Sequence, residues 1–294
     1  MKVAFYPGCV SKGACPELYV SARLIAEPLG LELHELVSAP CTGAGVLSEQ
    51  NRELADALNG LTLAMAEAEG ADLMTICSTC QGVLSDHNFH LKNDEARREK
   101  ANATIADQGY SYGGTATVKH LLWMLFEDIG IERVTASIKR KLTGLKIAPF
   151  YGCYILRPSE ALGLRERPER KTYLNQLIAL LGAEPVEYRG ATKCCGFPML
   201  TFNRDKALAM GGNHIIEAKE KGADLLVTPC PLCHLNLDGQ QPDAARVLKQ
   251  DIDVPIFHLP QLLGLAFGFE PDELRLNHHV VSTKGALEKV ELKV

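Results

Sequence analysis

The stretch Ala191-Thr192-Lys193-Cys194-Cys195-Gly196-Phe197-Pro198 decides how this chain is read. Adjacent cysteines followed by glycine are uncommon. Cys153 lies 41 residues before Cys194, and the Cys-x-x-Cys pair Cys230 and Cys233 lies 36 and 39 residues after it. These five cysteines form one constellation, one thiol more than a tetrahedral metal or a conventional iron–sulfur cluster takes. The pattern occurs a second time, earlier in the chain, with one change. Lys2-Val3-Ala4-Phe5-Tyr6-Pro7-Gly8-Cys9 corresponds to Lys146-Ile147-Ala148-Pro149-Phe150-Tyr151-Gly152-Cys153. Ala39-Pro40-Cys41-Thr42-Gly43 corresponds to the Cys194-Cys195-Gly196 stretch, and Cys77 and Cys80 to Cys230 and Cys233. Cys41 to Cys77 and Cys194 to Cys230 are both 36 residues. Matched flanks with matched spacings mark an internal duplication, in which Thr42 stands where the second copy has Cys195.

Working outward, each cysteine group follows a short apolar run. Val3–Tyr6, Leu31–Leu36 and Asp72–Ile76 read as strands, with helices over Pro16–Leu29 and around Leu54, Leu58, Leu61 and Met65 between them. The second copy reads alike: strands over Ile147–Tyr151, Val186–Tyr188 and Leu225–Thr228, helices over Tyr173–Leu181 and Asp205–Lys221. The order β-α-β-α-β in each copy predicts an α/β fold of two pseudo-repeated halves, 1–145 and 146–294, with mainly parallel sheets. Ligands of such sheets gather beyond the carboxyl ends of the strands, where all the cysteine groups fall. Between the copies, Lys92–Ile105 reads as a charged helix, Gln108–Gly114 as a loop and Val118–Ile129 as a helix carrying Trp123. A helix over Leu262–Phe269 follows the second copy, and the tail from Arg275 reads as peripheral.

A hydrophobic content of 46% with 23% charged residues is that of a water-soluble globular protein, and a net charge of −5 argues against a nucleic-acid partner. Pro7 and Gly8 interrupt the first apolar run, so no signal peptide is read, and Leu259–Phe269 is too short to cross a bilayer. A cytoplasmic location is expected. Ten cysteines in that reducing compartment point to metal or redox chemistry instead of disulfides.

Neither a Cys-x-x-Cys pair nor a lone cysteine is decisive, since buried cysteine often packs as a small hydrophobe. Five at strand ends, with an internal copy, are another matter, and soft thiolates are the ligands iron–sulfur clusters select. Cys15 has no counterpart in the second copy; it is a packed residue before a helix, or it replaces the ligand missing at Thr42. His234 and His214 could tune a cluster or protonate a thiol, although His214 also suits helix packing. His87 and His90 read as a solvated helix end. Gly211-Gly212 reads as close packing of a helix on the sheet, and no phosphate or dinucleotide fingerprint is present.

Cys153, Cys194-Cys195-Gly196, Cys230 and Cys233 resemble the cysteine-rich CCG domain. Two tandem copies ending in Phe257-His258-Leu259-Pro260-Gln261-Leu262-Leu263-Gly264-Leu265-Ala266 resemble the B-subunit family of heterodisulfide reductase, including its relatives in sulfur-oxidising bacteria. The resemblance implies a thiol–disulfide oxidoreductase active within a complex. It implies a non-cubane [4Fe-4S] cluster on Cys153, Cys194, Cys195, Cys230 and Cys233, through which those residues serve catalysis. The first copy departs from the family at Thr42. Cys9, Cys41, Cys77 and Cys80 still offer four thiolates, enough for a conventional [4Fe-4S] cluster or for zinc. This chain carries no Cys-x-x-Cys-x-x-Cys-x-x-x-Cys-Pro segment, so the resemblance implies a ferredoxin-like partner of the C-subunit type and a flavoprotein partner. Two alternatives stand beside this reading: an electron-relay member of a lactate or glycerol-3-phosphate oxidation complex, and a non-catalytic zinc scaffold.

Overall fold

Val3, Ala4 and Phe5 are fully buried, and a strand buried on both faces belongs inside a parallel sheet covered by helices. The computed structural model, which describes residues 1–292, places them so. β1 (Lys2–Tyr6) lies between β2 (Glu32–Glu35) and β3 (Leu73–Thr75), with β4 (Val118–His120) beyond β3. The second half repeats the order with β5 (Lys146–Pro149) between β6 (Glu184–Pro185) and β7 (Leu225–Thr228), and β8 (Ile256–His258) beyond β7. Every pairing is parallel, so the chain is α/β with two pseudo-repeated halves.

The expected helices at Pro16–Leu29, Arg52–Glu69, Tyr173–Leu180 and Arg204–Glu220 are present. Gly30 and Gly70 end the first two in the left-handed conformation. Differences arise where a short strand runs straight into a helix. The stretch read as one helix over Val118–Ile129 begins as β4, and its helix is only Leu121–Glu127. His120 makes the switch: its Nδ1 accepts from Leu122 N at 3.0 Å, capping the helix. The same strand-to-helix switch puts β8 ahead of Leu259–Ala266. β6 is shorter and earlier than expected, because after Val186 donates to Ile147 O the chain turns away. The charged segment Lys92–Ile105 is divided at Asp94, which ends Ser78–Asn93 and caps Glu95–Ile105 by accepting from Arg97 N. Helix Arg52–Glu69 buries Ala55, Asn59, Thr62, Leu63 and Ala66, while Leu54 is exposed. The tail is not peripheral either. Leu276, Ala286 and Leu287 are buried, and Val280 N and Val281 N donate to Asp238.

The halves interlock. Helix Pro16–Leu29 of the first packs on Leu259–Ala266 of the second, and Tyr173–Leu180 of the second packs on Leu121–Glu127 of the first. At the latter contact Phe126 stacks on Tyr173 with centroids 4.2 Å apart, and Arg170 pairs with Glu127 at 2.7 and 2.8 Å. Both hydrophobic clusters draw residues from both halves.

His87 is not at a solvated helix end. It is buried, with Nδ1 2.6 Å from Asp56 and Nε2 2.9 Å from Ser48, and Arg97 also holds Asp56 at 2.5 and 2.6 Å. His90 stays half-exposed beside Asp86.

Candidate metal centre

Each half gathers its cysteines beyond the carboxyl ends of its strands. Cys9 opens a helical turn shortly after β1, and Cys77 caps helix Ser78–Asn93 after β3. Cys230 and Cys233 sit likewise after β7. Chain packing forces two glycines here. Gly8 and Gly152 have φ of +80° and +69°, and a Cβ on them would lie 3.2 Å from Cys80 Sγ and 2.9 Å from Cys233 Sγ. Their positions directly before Cys9 and Cys153 were the available signal for this close approach.

The first group brings Cys9 Sγ within 3.7 Å of Cys41 Sγ. Thr42 is buried and its hydroxyl donates to Cys80 Sγ at 3.9 Å. In the second group the equivalent Cys195 is paired with Cys233, and Cys194 with Cys153, near enough that each thiol shifts the other's ionisation. Thr42 therefore faces the same partner as the thiol it replaces. Cys9 and Cys41 are exposed, Cys153 and Cys194 half-buried, and the other ligand-type cysteines buried.

Backbone N–H groups aim at the sulfurs: Gly43 at Cys41, Cys80 at Cys77, Gly196 at Cys194 and Phe197 at Cys195, at 3.4–3.5 Å. Such bonds favour thiolate and tune any bound cluster. Thiols this crowded titrate against one another. Hydrogen bonding from Cys153 drives Cys194 far below the ordinary thiol range, and Cys233 does the same for Cys230. Burial, then Cys41, pushes Cys9 up to about 11.

The two groups touch. Ser78 N donates to Pro229 O at 3.1 Å, and Thr79 Oγ1 lies 3.3 Å from Cys230 Sγ. His120 Nε2 also reaches Pro229 O, at 2.9 Å. Ser78, Thr79, His120 and Pro229, with Asn236, whose Nδ2 donates to Cys195 O at 2.6 Å, carried no sequence signal. His214 Nε2 meets Cys194 O at 3.1 Å, so it braces the cysteine loop. Gly211 and Gly212 admit Cys195 O, Asn236 and helix Gln241–Leu248, so the close packing is against these and not the sheet. Cys15 does not join the first group. It is buried beside Glu17, His234 and His258.

The donor chemistry fits iron–sulfur ligation: clustered soft thiols, two of them held toward thiolate, in a shell of N–H donors. Among the described residues no helix is long and apolar enough to cross a membrane.

The profile of the family described as "Cysteine-rich domain" (CCG) matches residues 3–85 and 147–238. The chain is 36% identical to the 8-methylmenaquinol:fumarate reductase membrane anchor subunit of Wolinella succinogenes, covering 95% of this chain and 96% of that one. It is 30% identical to the B subunit of the ferredoxin/F(420)H(2)-dependent CoB-CoM heterodisulfide reductase of Methanosarcina acetivorans, over 98% of this chain and 97% of that one. It is 32% identical to a protein of Archaeoglobus profundus that is itself named as like the heterodisulfide reductase B subunit, over 93% of each. In fold it resembles a hypothetical protein from Helicobacter pylori, with a TM-score of 0.76 at 16% identity, covering 95% of this chain and 51% of that one. The relatives point to an iron–sulfur redox protein, and the duplicated cysteine pattern, its placement at the strand ends and these matches agree: the chain belongs to the heterodisulfide reductase B-subunit family of tandem cysteine-rich CCG proteins.

Proposed function

We propose that this chain is the thiol–disulfide subunit of a heterodisulfide reductase-like complex, with its chemistry at the second cysteine group. The carrying observation is the contrast between Cys195 against Cys233 and Thr42 against Cys80. Cys153, Cys194, Cys195, Cys230 and Cys233 would hold a non-cubane [4Fe-4S] cluster. Cys9, Cys41, Cys77 and Cys80 would hold a conventional [4Fe-4S] cluster, with zinc the alternative there. When bound, such clusters supply one-electron transfer and an iron able to bind a substrate sulfur. The protein's share is positioning. Asn236 and His214 fix the carbonyls of Cys195 and Cys194, so the adjacent thiolates keep their separate directions. Gly196 and Phe197 N–H groups offset charge on those two sulfurs. The Ser78–Pro229 and Thr79–Cys230 contacts hold the two groups side by side, which suits a route from the exposed first group to the second.

The halves 1–145 and 146–294 act here as two linked repeats. Electrons would come from a ferredoxin-like protein of the C-subunit type and a flavoprotein, in the cytoplasm. Turnover is tested on anaerobic protein with reduced viologen as donor and a panel of disulfides. Disulfide reduction lost in Cys195→Ser, with the first group's iron retained, supports the reading. Clusters that accept electrons while no disulfide is reduced and no thiol oxidised would refute it.

A second reading, electron relay alone, is favoured by the burial of Cys195, Cys230 and Cys233 and by the fumarate reductase relative. It predicts that same refuting outcome, with full electron transfer to a partner.

A further inference from the structure

Apart from the cysteine groups, metal-binding side chains concentrate at the join between the halves. Cys15 caps helix Pro16–Leu29 and Glu17 lies in its first turn; His234 follows Cys233, and His258 ends β8. All four are buried, at 1%, 5%, 4% and 0% exposure. One donor atom from each lies within 4.8 Å of the others. His258 Nε2 is 3.1 Å from Glu17 Oε1, and the His234 and His258 rings stack with centroids 3.9 Å apart. A carboxylate, a thiol and two imidazoles withdrawn together from water are costly beyond what the Glu17–His258 and His234–His279 contacts offset.

We infer that Cys15, Glu17, His234 and His258 form a structural site for zinc(II) that clasps the first half to the second. Zinc takes sulfur, imidazole and carboxylate ligands in a tetrahedron. Its bond lengths of roughly 2.0–2.3 Å imply ligand–ligand edges of about 3.3–3.7 Å, and the four donor atoms all lie within 4.8 Å of one another. One thiolate and one carboxylate cancel the charge of a divalent ion, so the buried site is neutral when filled. A single thiolate excludes an iron–sulfur cluster, and the nitrogen and sulfur donors disfavour magnesium and calcium. His279 supports the site from behind, with Nδ1 3.4 Å from His234 Nε2 and Nε2 3.0 Å from Gln261 Oε1. Outer partners of this kind hold ligating rings in place. The site shares no residue with the cysteine groups, so it stands or falls separately from the function proposed above.

The test uses the full chain, purified anaerobically with its iron complete from zinc-supplemented cells. Metal analysis should find about one zinc per chain beyond the iron, as four filled positions require. X-ray absorption at the zinc edge should show one sulfur with nitrogen and oxygen neighbours. Cys15→Ala should lose zinc affinity by more than the roughly 10–100-fold that an outer-shell change costs, with iron unchanged. If that variant fails to fold, cobalt-grown wild-type protein gives the same answer: a thiolate-to-cobalt absorption band of one sulfur is expected. Iron-complete protein without zinc, zinc in an all-sulfur environment, zinc retained by Cys15→Ala, or cobalt without that band would overturn the proposal.

Discussion

Replacing Gly152 with alanine should remove the second cysteine group's metal while the same change at Gly8 does less. The magnitude follows from the close approaches. A left-handed residue with a Cβ costs about 1–2 kcal/mol, and both glycines have positive φ. Beyond this common term, the new Cβ at 152 would lie 2.9 Å from Cys233 Sγ, against 3.2 Å from Cys80 Sγ at position 8. Non-bonded heavy atoms settle no closer than about 3.5 Å, so Cys233 Sγ must retreat by about 0.6 Å and Cys80 Sγ by about 0.3 Å. Metal–ligand distances tolerate roughly 0.2 Å, and Cys233 is buried among packed neighbours with little space to yield. A shift about three times that tolerance should cost the ligand at the second group, while the shift of Cys80, half as large, should cost less although Cys80 is buried as well. The assay is iron and acid-labile sulfide per chain, with electron paramagnetic resonance, on anaerobic wild-type, Gly152→Ala and Gly8→Ala proteins. Gly152→Ala should lose one cluster's iron and signal. A Gly152→Ala protein with full iron and an unchanged spectrum would refute the reasoning, because Cys233 Sγ could then not be a ligand at that strand end.

Thr42→Cys should give the first group a fifth thiol against Cys80, and the resonance spectrum should then show two like clusters; an unchanged first-site signal would count against the equivalence with Cys195. Asp56→Asn should cost about 3 kcal/mol near neutral pH by stripping the carboxylate from buried His87 and Arg97, measured by denaturant unfolding. Burial pushes the Asp56 carboxyl up, but hydrogen bonds from His87 and Arg97 outweigh it and hold it below its ordinary value. Its contribution is therefore complete above about pH 4 and lost as pH falls through the lowered folded value, so the wild-type advantage should shrink in acid; an advantage that grows there would contradict the sign. The isolated chain should turn over little with nicotinamide cofactors and gain activity on adding a ferredoxin-like protein; full nicotinamide-driven turnover of the chain alone would remove the need for a partner.

The duplication made the architecture legible, because matched spacings placed three strands and three cysteine positions in each half at once. The fourth strands were hidden by length. Three residues of β4 and β8 lead into helices without a break, and apolar periodicity cannot divide such a run. The cysteines themselves were readable, as was the oddity of Thr42, but its contact with Cys80 needed coordinates. His87 illustrates the limit. Its charged neighbours in sequence suggested solvent, while the burial comes from Asp56 and Arg97, on two other helices. Cys15 and His279 likewise acquire their surroundings from segments far away in the chain.

The exchange of helices between halves has an evolutionary meaning. When a helix between the first and second strands of one unit packs on the helix that follows the fourth strand of the other, and the reverse also holds, the interface is isologous, the kind a twofold dimer makes. The chain therefore has the form of an ancestral homodimer fused end to end. Fusion freed the two copies of each contact to drift apart. Ser78 N donates across the join to Pro229 O, yet its counterpart Pro231 has no N–H to return the bond. Two copies of the second half would pair without this backbone hydrogen bond, because Pro231 offers Pro229 O no N–H and leaves that oxygen to a histidine contact of the His120 kind. What began as one surface meeting itself has become a directional joint.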